Sequence, residues 1–134
     1  MRTINRTLSV WIAVFLGLAL GCSNPPADSH EAAEPLVQLL TAYVEATHKL
    51  ERPPQNDAEL RQFLPDGEKW LVSPRDGQHY VIRWGVSVHD PNLDPANPPL
   101  IAYEQTGKDG IRHAINVMGL AELTDEQFAS LKMP

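Results

Sequence analysis

Three oxygen-bearing side chains at alternate positions are the clearest candidate for chemistry in this sequence. Asp90, Asn92 and Asp94 have the opening spacing of a calcium loop, in which carboxylate and amide oxygens coordinate the ion. The pattern departs from such a loop at Pro95, where a glycine normally allows the tight turn, and at Ile101, where a glutamate normally closes the site. The alternative is a solvated, proline-stiffened loop, and the sequence favours that loop over a weak calcium site.

The five histidines share no short metal-ligand spacing such as His-x-x-x-His. His89 lies beside a carboxylate, and a zinc site there would need a distant group to converge on His89 and Asp90. His79 and His113 lie in strand-like segments, which indicates positions on sheet faces. The histidine pattern therefore predicts no metal cofactor.

The sequence also lacks the common catalytic motifs. It contains no Gly-x-Ser-x-Gly, Walker, Rossmann or His-Glu-x-x-His motif, and Ser73, Ser87 and Ser130 have no base beside them in the chain. The acidic pair Asp125-Glu126 is explained by the start of a helix, where negative charge is favourable. We predict that the protein is not an enzyme, and a small envelope enzyme of unknown reaction is the second alternative.

The first 21 residues have the layout of an export signal. Arg2 and Arg6 give a positive start, and residues 8–20 are almost wholly apolar, which is shorter than the roughly 20 residues needed to span a bilayer. Cys22 follows directly and is the only cysteine in the chain, so it has no intramolecular disulfide partner. The alternatives are an ordinary cleaved secretory signal and a short uncleaved anchor.

The string before this cysteine, Leu18-Ala19-Leu20-Gly21-Cys22, resembles the lipobox of bacterial lipoproteins. The resemblance implies cleavage before Cys22, diacylglycerol on its thiol and a fatty acid such as palmitate on the new amine. Two or three acyl chains anchor a protein stably, whereas one holds it only marginally. Ser23 stands where an aspartate would retain a lipoprotein at the inner membrane. We therefore expect an extracytoplasmic, membrane-anchored protein, at the outer membrane in a diderm cell.

Removal of residues 1–21 leaves 113 residues with a net charge of −8, because that segment holds two of the eleven basic residues and none of the seventeen acids. Such an acidic domain is repelled by phosphate backbones and anionic headgroups. The charge therefore argues against nucleic acid binding. At this length one domain with a modest core is expected.

The elements that would position these residues begin after a predicted flexible tether, residues 22–34, and form one domain over residues 35–134. Pro35 suits the first position of a helix, and the helical spacing places Leu39, Leu40 and Tyr43 on its buried face. Asn56 is the expected N-cap of a short second helix. Thr124 and Gln127 form a capping box for a short last helix.

Between these helices the period of the pattern changes to two. It predicts strands at residues 70–72, 78–88, 100–104, 111–117 and 120–123, with a hairpin turn at residues 106–110. The predicted fold class is α+β, with an N-terminal amphipathic helix packed on a small antiparallel sheet and a short C-terminal helix.

Two strings in this pattern resemble the periplasmic heads of type II secretion major pseudopilins. Residues 73–80 are similar to that family's Asp-Pro-Trp-Gly-Asn-Pro-Tyr stretch, and residues 102–110 to its Ser-Tyr-Gly-Ala-Asp-Gly stretch. The resemblance covers about residues 35–120 and implies a pseudopilin-like fold and a slightly stronger case for calcium. The N-terminus departs from the family, because a lipobox replaces the prepilin-peptidase site, its following Phe and Glu, and the long uncleaved helix.

Trp70, Trp84 and Tyr103 are candidate contacts for a protein partner at the envelope, because Trp and Tyr dominate binding hot spots. The alternative is that they fill the space between sheet and first helix. From the sequence we expect a lipid-anchored, non-catalytic binding or structural module at the cell envelope. The first alternative is a calcium-stabilised, pseudopilin-like module associated with protein secretion.

Overall fold

The computed structural model describes residues 28–131. It has three α-helices, α1 (Asp28–Leu50), α2 (Asp57–Arg61) and α3 (Asp125–Ser130), and a 3₁₀ helix at Gly67–Leu71. Four antiparallel strands form one sheet in the order β1-β2-β3-β4: β1 (Val81–Ile82), β2 (Leu100–Tyr103), β3 (Ile111–Asn116) and β4 (Gly119–Thr124). The mixed α+β class predicted from the sequence is confirmed.

The start of α1 differs from the prediction. The helix begins at Asp28, so residues 28–34 of the predicted tether are helical and Pro35 lies inside the helix. Ala32 and Ala33 have the highest helix propensity of any residue type, and Ala33 and Pro35 are buried. Burial and propensity therefore outweigh the one backbone hydrogen bond that the proline ring cannot donate.

The hydrophobic core takes residues from α1, α2, the 3₁₀ helix and the strands. Leu36, Leu39 and Tyr43 of α1 are fully buried, and the same cluster contains Ile101 of β2 and Ile115 of β3. Two alanines of α1, Ala42 and Ala46, are also buried. Their small size lets neighbouring elements approach the helix backbone closely.

The hairpin between β2 and β3 is formed as predicted. Its two tip residues, Asp109 and Gly110, both have positive φ, as a type I′ turn requires. Gly107, just before the tip, also has positive φ, and a β-carbon there would clash with the Ile111 carbonyl oxygen. Gly107, Asp109 and Gly110 therefore set the register of the two strands that they connect.

One predicted strand, residues 70–72, is not formed, and another, residues 78–88, is shorter than predicted. Residues 70–71 belong to the 3₁₀ helix, and Val72 makes only an isolated bridge with His79. Of the predicted strand 78–88, only Val81–Ile82 pairs with β2. The chain from Arg83 to Pro99 is loop, which the prolines predicted for residues 90–99 but which replaces the strand predicted at residues 83–88.

Candidate functional site

Among the residues that the structure describes, a group of polar side chains surrounds Glu104, which has no exposed surface. Glu104 lies directly after β2, and its Oε1 accepts a hydrogen bond from Ser73 Oγ at 2.7 Å. Its Oε2 accepts one from the Arg75 guanidinium at 2.6 Å and one from the backbone N–H of His113 at 2.8 Å. Three donors around one carboxylate make its burial tolerable, since a buried charge needs both a partner and hydrogen bonds.

The turn at residues 73–78 also holds the tip of the β2–β3 hairpin, through the side chains of Arg75 and Asp76. Arg75 also donates to the carbonyl oxygens of Lys108 and Ile111, each at 3.3 Å. Asp76 Oδ2 accepts from the backbone N–H groups of Thr106 and Gly107, each at 3.1 Å. We name this arrangement of residues 73–78 against residues 104–111 the Glu104 clamp.

The charge on Asp76 is stabilised by its place in the clamp. Partial burial raises the pKa of this carboxyl, but hydrogen bonds from the backbone N–H groups of Gln78, Thr106 and Gly107 outweigh burial and lower the pKa overall. Asp76 is therefore held as an anion that orders two turns rather than as a proton donor.

Tyr80 lies beside the clamp with its hydroxyl buried and without a hydrogen-bond partner among the described residues. Burial raises the pKa of this phenol to about 12, from an ordinary value of 10.0. Since the folded pKa is above the unfolded one, the unfolded chain loses the Tyr80 proton at a lower pH than the folded protein does. The contribution of the neutral phenol to stability is therefore fully present below pH 10, and the free energy of unfolding falls as the pH rises from 10 to 12.

We expect Tyr80→Phe to weaken this alkaline loss of stability, because phenylalanine cannot ionise in the unfolded chain. Chemical denaturation at pH 8, 10 and 11.5 checks it. Wild type should lose more stability across this range than the variant does. Tyr103→Phe is the matched control and should keep the wild-type pH dependence. Equal alkaline losses in Tyr80→Phe and wild type would contradict the burial argument.

Two potentially reactive side chains in this region, Ser73 and His113, are both buried. Ser73 has no exposed surface and its hydroxyl donates to Glu104. His113 is buried in β3, with Nε2 at 3.3 Å from Glu122 Oε1 and no partner for Nδ1 among the described residues. A shallow cleft of about 290 Å³ borders the clamp at Pro74, Arg75 and Lys108. The arrangement serves to hold two turns together, and its serine is shielded from any substrate in the cleft.

The two aspartates of the predicted calcium site accept hydrogen bonds from backbone N–H groups of their own loop. Asp90 Oδ1 accepts from the backbone N–H of Asn92 at 2.8 Å, and Asp94 Oδ1 accepts from that of Ala96 at 2.9 Å. These are Asx turns, which aspartate forms readily in proline-rich loops. Across residues 28–131, no three or more His, Cys, Asp or Glu side chains are grouped so as to hold a metal ion. Calcium binding by Asp90, Asn92 and Asp94 stays a prediction.

The three candidate aromatic contacts differ in exposure. Trp70 is 8% exposed, so little of its indole is available to a partner. Tyr103 is half-buried, with its ring at 5.0 Å from that of Phe128 in an edge-to-face contact. Trp84 is 36% exposed and follows the short strand β1. Of the three, Trp84 presents the largest fraction of its surface to solvent.

Cys22 and the predicted signal peptide lie outside the described residues. Over the described part of the chain, no helix combines the length and the apolar character that crossing a bilayer requires. Comparison with protein-family models, with curated proteins and with solved structures finds no match for this chain.

Proposed function

We propose that the protein is a lipid-anchored, extracytoplasmic module of the cell envelope that binds or supports other components without catalysing a reaction. The observation that carries this proposal is the lipobox-like string ending at Cys22, behind a positive start and a short apolar segment. Cleavage before Cys22 would leave the anchored cysteine as the first residue of an acidic domain.

The start of α1 supports a position close to the lipid surface. Helix α1 begins at Asp28, six residues after Cys22. Six residues of fully extended chain span at most about 20 Å. The domain would therefore stay within roughly its own diameter of the membrane, which suits a module that acts on neighbours in the same membrane.

Two features of the described residues support a non-catalytic role. Ser73 and Glu104 of the Glu104 clamp are hydrogen-bonded to each other and buried, so both side chains stabilise the fold and neither faces solvent. The exposed Trp84 offers an aromatic contact of the kind that anchors protein partners. As part of this proposal, α1 packs on one face of the sheet and α3 lies against the other face through Phe128.

Cys22→Ser is the experiment that tests the anchor. Cells fed an alkyne fatty acid should incorporate the label into wild type, and its signal peptide should be removed in a globomycin-sensitive step. The variant should carry no label and should keep its signal peptide, because the globomycin-sensitive cleavage acts on the lipid-modified cysteine. The physical reason is that serine lacks the thiolate that accepts diacylglycerol.

Ser23→Ala is the matched control, because it changes the neighbouring residue and leaves the thiol in place. It should be labelled and processed like wild type. Fatty-acid label on the Cys22→Ser variant, or no label on wild type, would refute the lipid anchor.

A further inference from the structure

Two histidines that are 41 positions apart in sequence meet on the surface of the fold. His48 lies in the last turn of α1, and His89 lies in the loop after β1. Their rings are 5.4 Å apart between centres and inclined at 64°. Both side chains are exposed, so a metal ion can reach them from solvent.

The loop that carries His89 is fixed on α1 rather than merely near it. The Tyr43 hydroxyl accepts a hydrogen bond from the Val86 N–H at 2.9 Å and lies at 3.2 Å from the carbonyl oxygen of Val86, to which it can donate. Val86 and Val88 pack against the core cluster, and His89 is exposed. The pair is therefore positioned by the core and by Tyr43, which lies five residues before His48 in α1, so little ordering is needed on binding.

The separation of the rings suits one ion held between them. A zinc–nitrogen bond of about 2.0–2.1 Å, with the nitrogen about 1.2 Å from its ring centre, puts the centres of two tetrahedrally placed imidazoles about 5 Å apart. The observed distance of 5.4 Å between the ring centres is close to that separation. Imidazole nitrogen is a preferred ligand of zinc and nickel, whereas calcium prefers oxygen.

We propose that His48 and His89 form a binding site for a divalent transition metal such as zinc or nickel, tying the loop after β1 to the end of α1. The protein supplies two ligands, and water completes the coordination. Asp90 is adjacent, but its Oδ1 is held in the Asx turn with Asn92. The site is independent of the lipid anchor and of the partner-binding role proposed above.

The test titrates zinc chloride, and separately nickel chloride, into the full-length protein extracted from membranes in detergent, with calorimetry as the readout. Wild type should bind one ion saturably. His48→Ala and His89→Ala should each weaken binding by at least about tenfold, since even changes behind a metal ligand typically cost 10–100-fold. Both positions are exposed, so these variants should fold as wild type does.

His79→Ala is the matched control, because His79 is an exposed histidine outside the pair. It should bind zinc like wild type, and zinc should raise the melting temperature of wild type and of this control but of neither pair variant. No saturable zinc binding by wild type, or binding that survives His48→Ala or His89→Ala, would overturn the proposal. Equal loss in the His79→Ala variant would overturn it as well.

Discussion

Glu104→Ala is expected to lower the free energy of unfolding by about 3–5 kcal/mol, the usual cost of breaking a buried ion pair on one side. The substitution leaves the Ser73 hydroxyl and the His113 N–H without their acceptor in a region that water does not reach. It also removes the partner of Arg75, whose side chain is only 15% exposed. Urea unfolding followed by circular dichroism measures the loss.

Two further variants separate the clamp from a general effect of charge. Glu122→Ala removes an acid whose side chain is 60% exposed opposite His113, and we expect a change below about 1 kcal/mol. Arg75→Ala should be nearly as costly as Glu104→Ala, because it leaves the buried carboxylate uncompensated. A double variant that costs much less than the sum of the two would show that they act as a pair. A Glu104→Ala loss no larger than that of Glu122→Ala would mean that the clamp contributes little.

Local chemistry explains which elements could be predicted. The Asp109-Gly110 turn and the capping box of Thr124 and Gln127 involve residues within a few positions of each other, and both form as expected. The N-cap of α2 is the same kind of case, with Asn56 accepting from the Glu59 N–H at 3.0 Å. Such motifs are satisfied by nearby backbone groups, so distant parts of the chain do not decide them.

The errors occur where a distant partner decides the structure. The alternation of Tyr80, Ile82 and Trp84 predicted a long strand, but a strand exists only where another strand pairs with it. Strand β2 pairs with residues 81–82, and the chain beyond is taken up by contacts with Tyr43. The helix start at Pro35 was wrong for a similar reason, since burial of Ala33 and Pro35 favours a longer helix.

The polar chemistry of the fold was the least accessible to prediction. Glu104 is 31 positions from Ser73 and 29 from Arg75, and nothing in either string shows that they meet. The one sequence signal is an acid that directly ends an apolar strand, Leu100-Ile101-Ala102-Tyr103-Glu104. An acid at the end of a core strand is usually exposed, so its burial becomes visible only with the partner turn in place.

Leu39→Ala is expected to cost about 2–5 kcal/mol, as large-to-small changes at fully buried leucines do. Leu39 has no exposed surface and belongs to the core cluster together with Ile101 and Ile115 of the sheet. Leu40 was predicted to lie on the same buried face, but it is only partly buried and packs at the edge of the cluster. The two residues point about 100° apart around the helix, so they report separately on its orientation.

Equilibrium unfolding of Leu39→Ala, Leu40→Ala and Val37→Ala should therefore give losses in descending order. Val37 is 46% exposed, and its truncation should change stability by less than about 0.5 kcal/mol. Leu39→Ala and Leu40→Ala make the same change of residue type in the same helix, so the difference between them reflects packing rather than helix propensity. A larger loss for Leu40→Ala than for Leu39→Ala would mean that α1 is rotated about its axis. Equal small losses at all three would mean that α1 does not pack on the sheet at all.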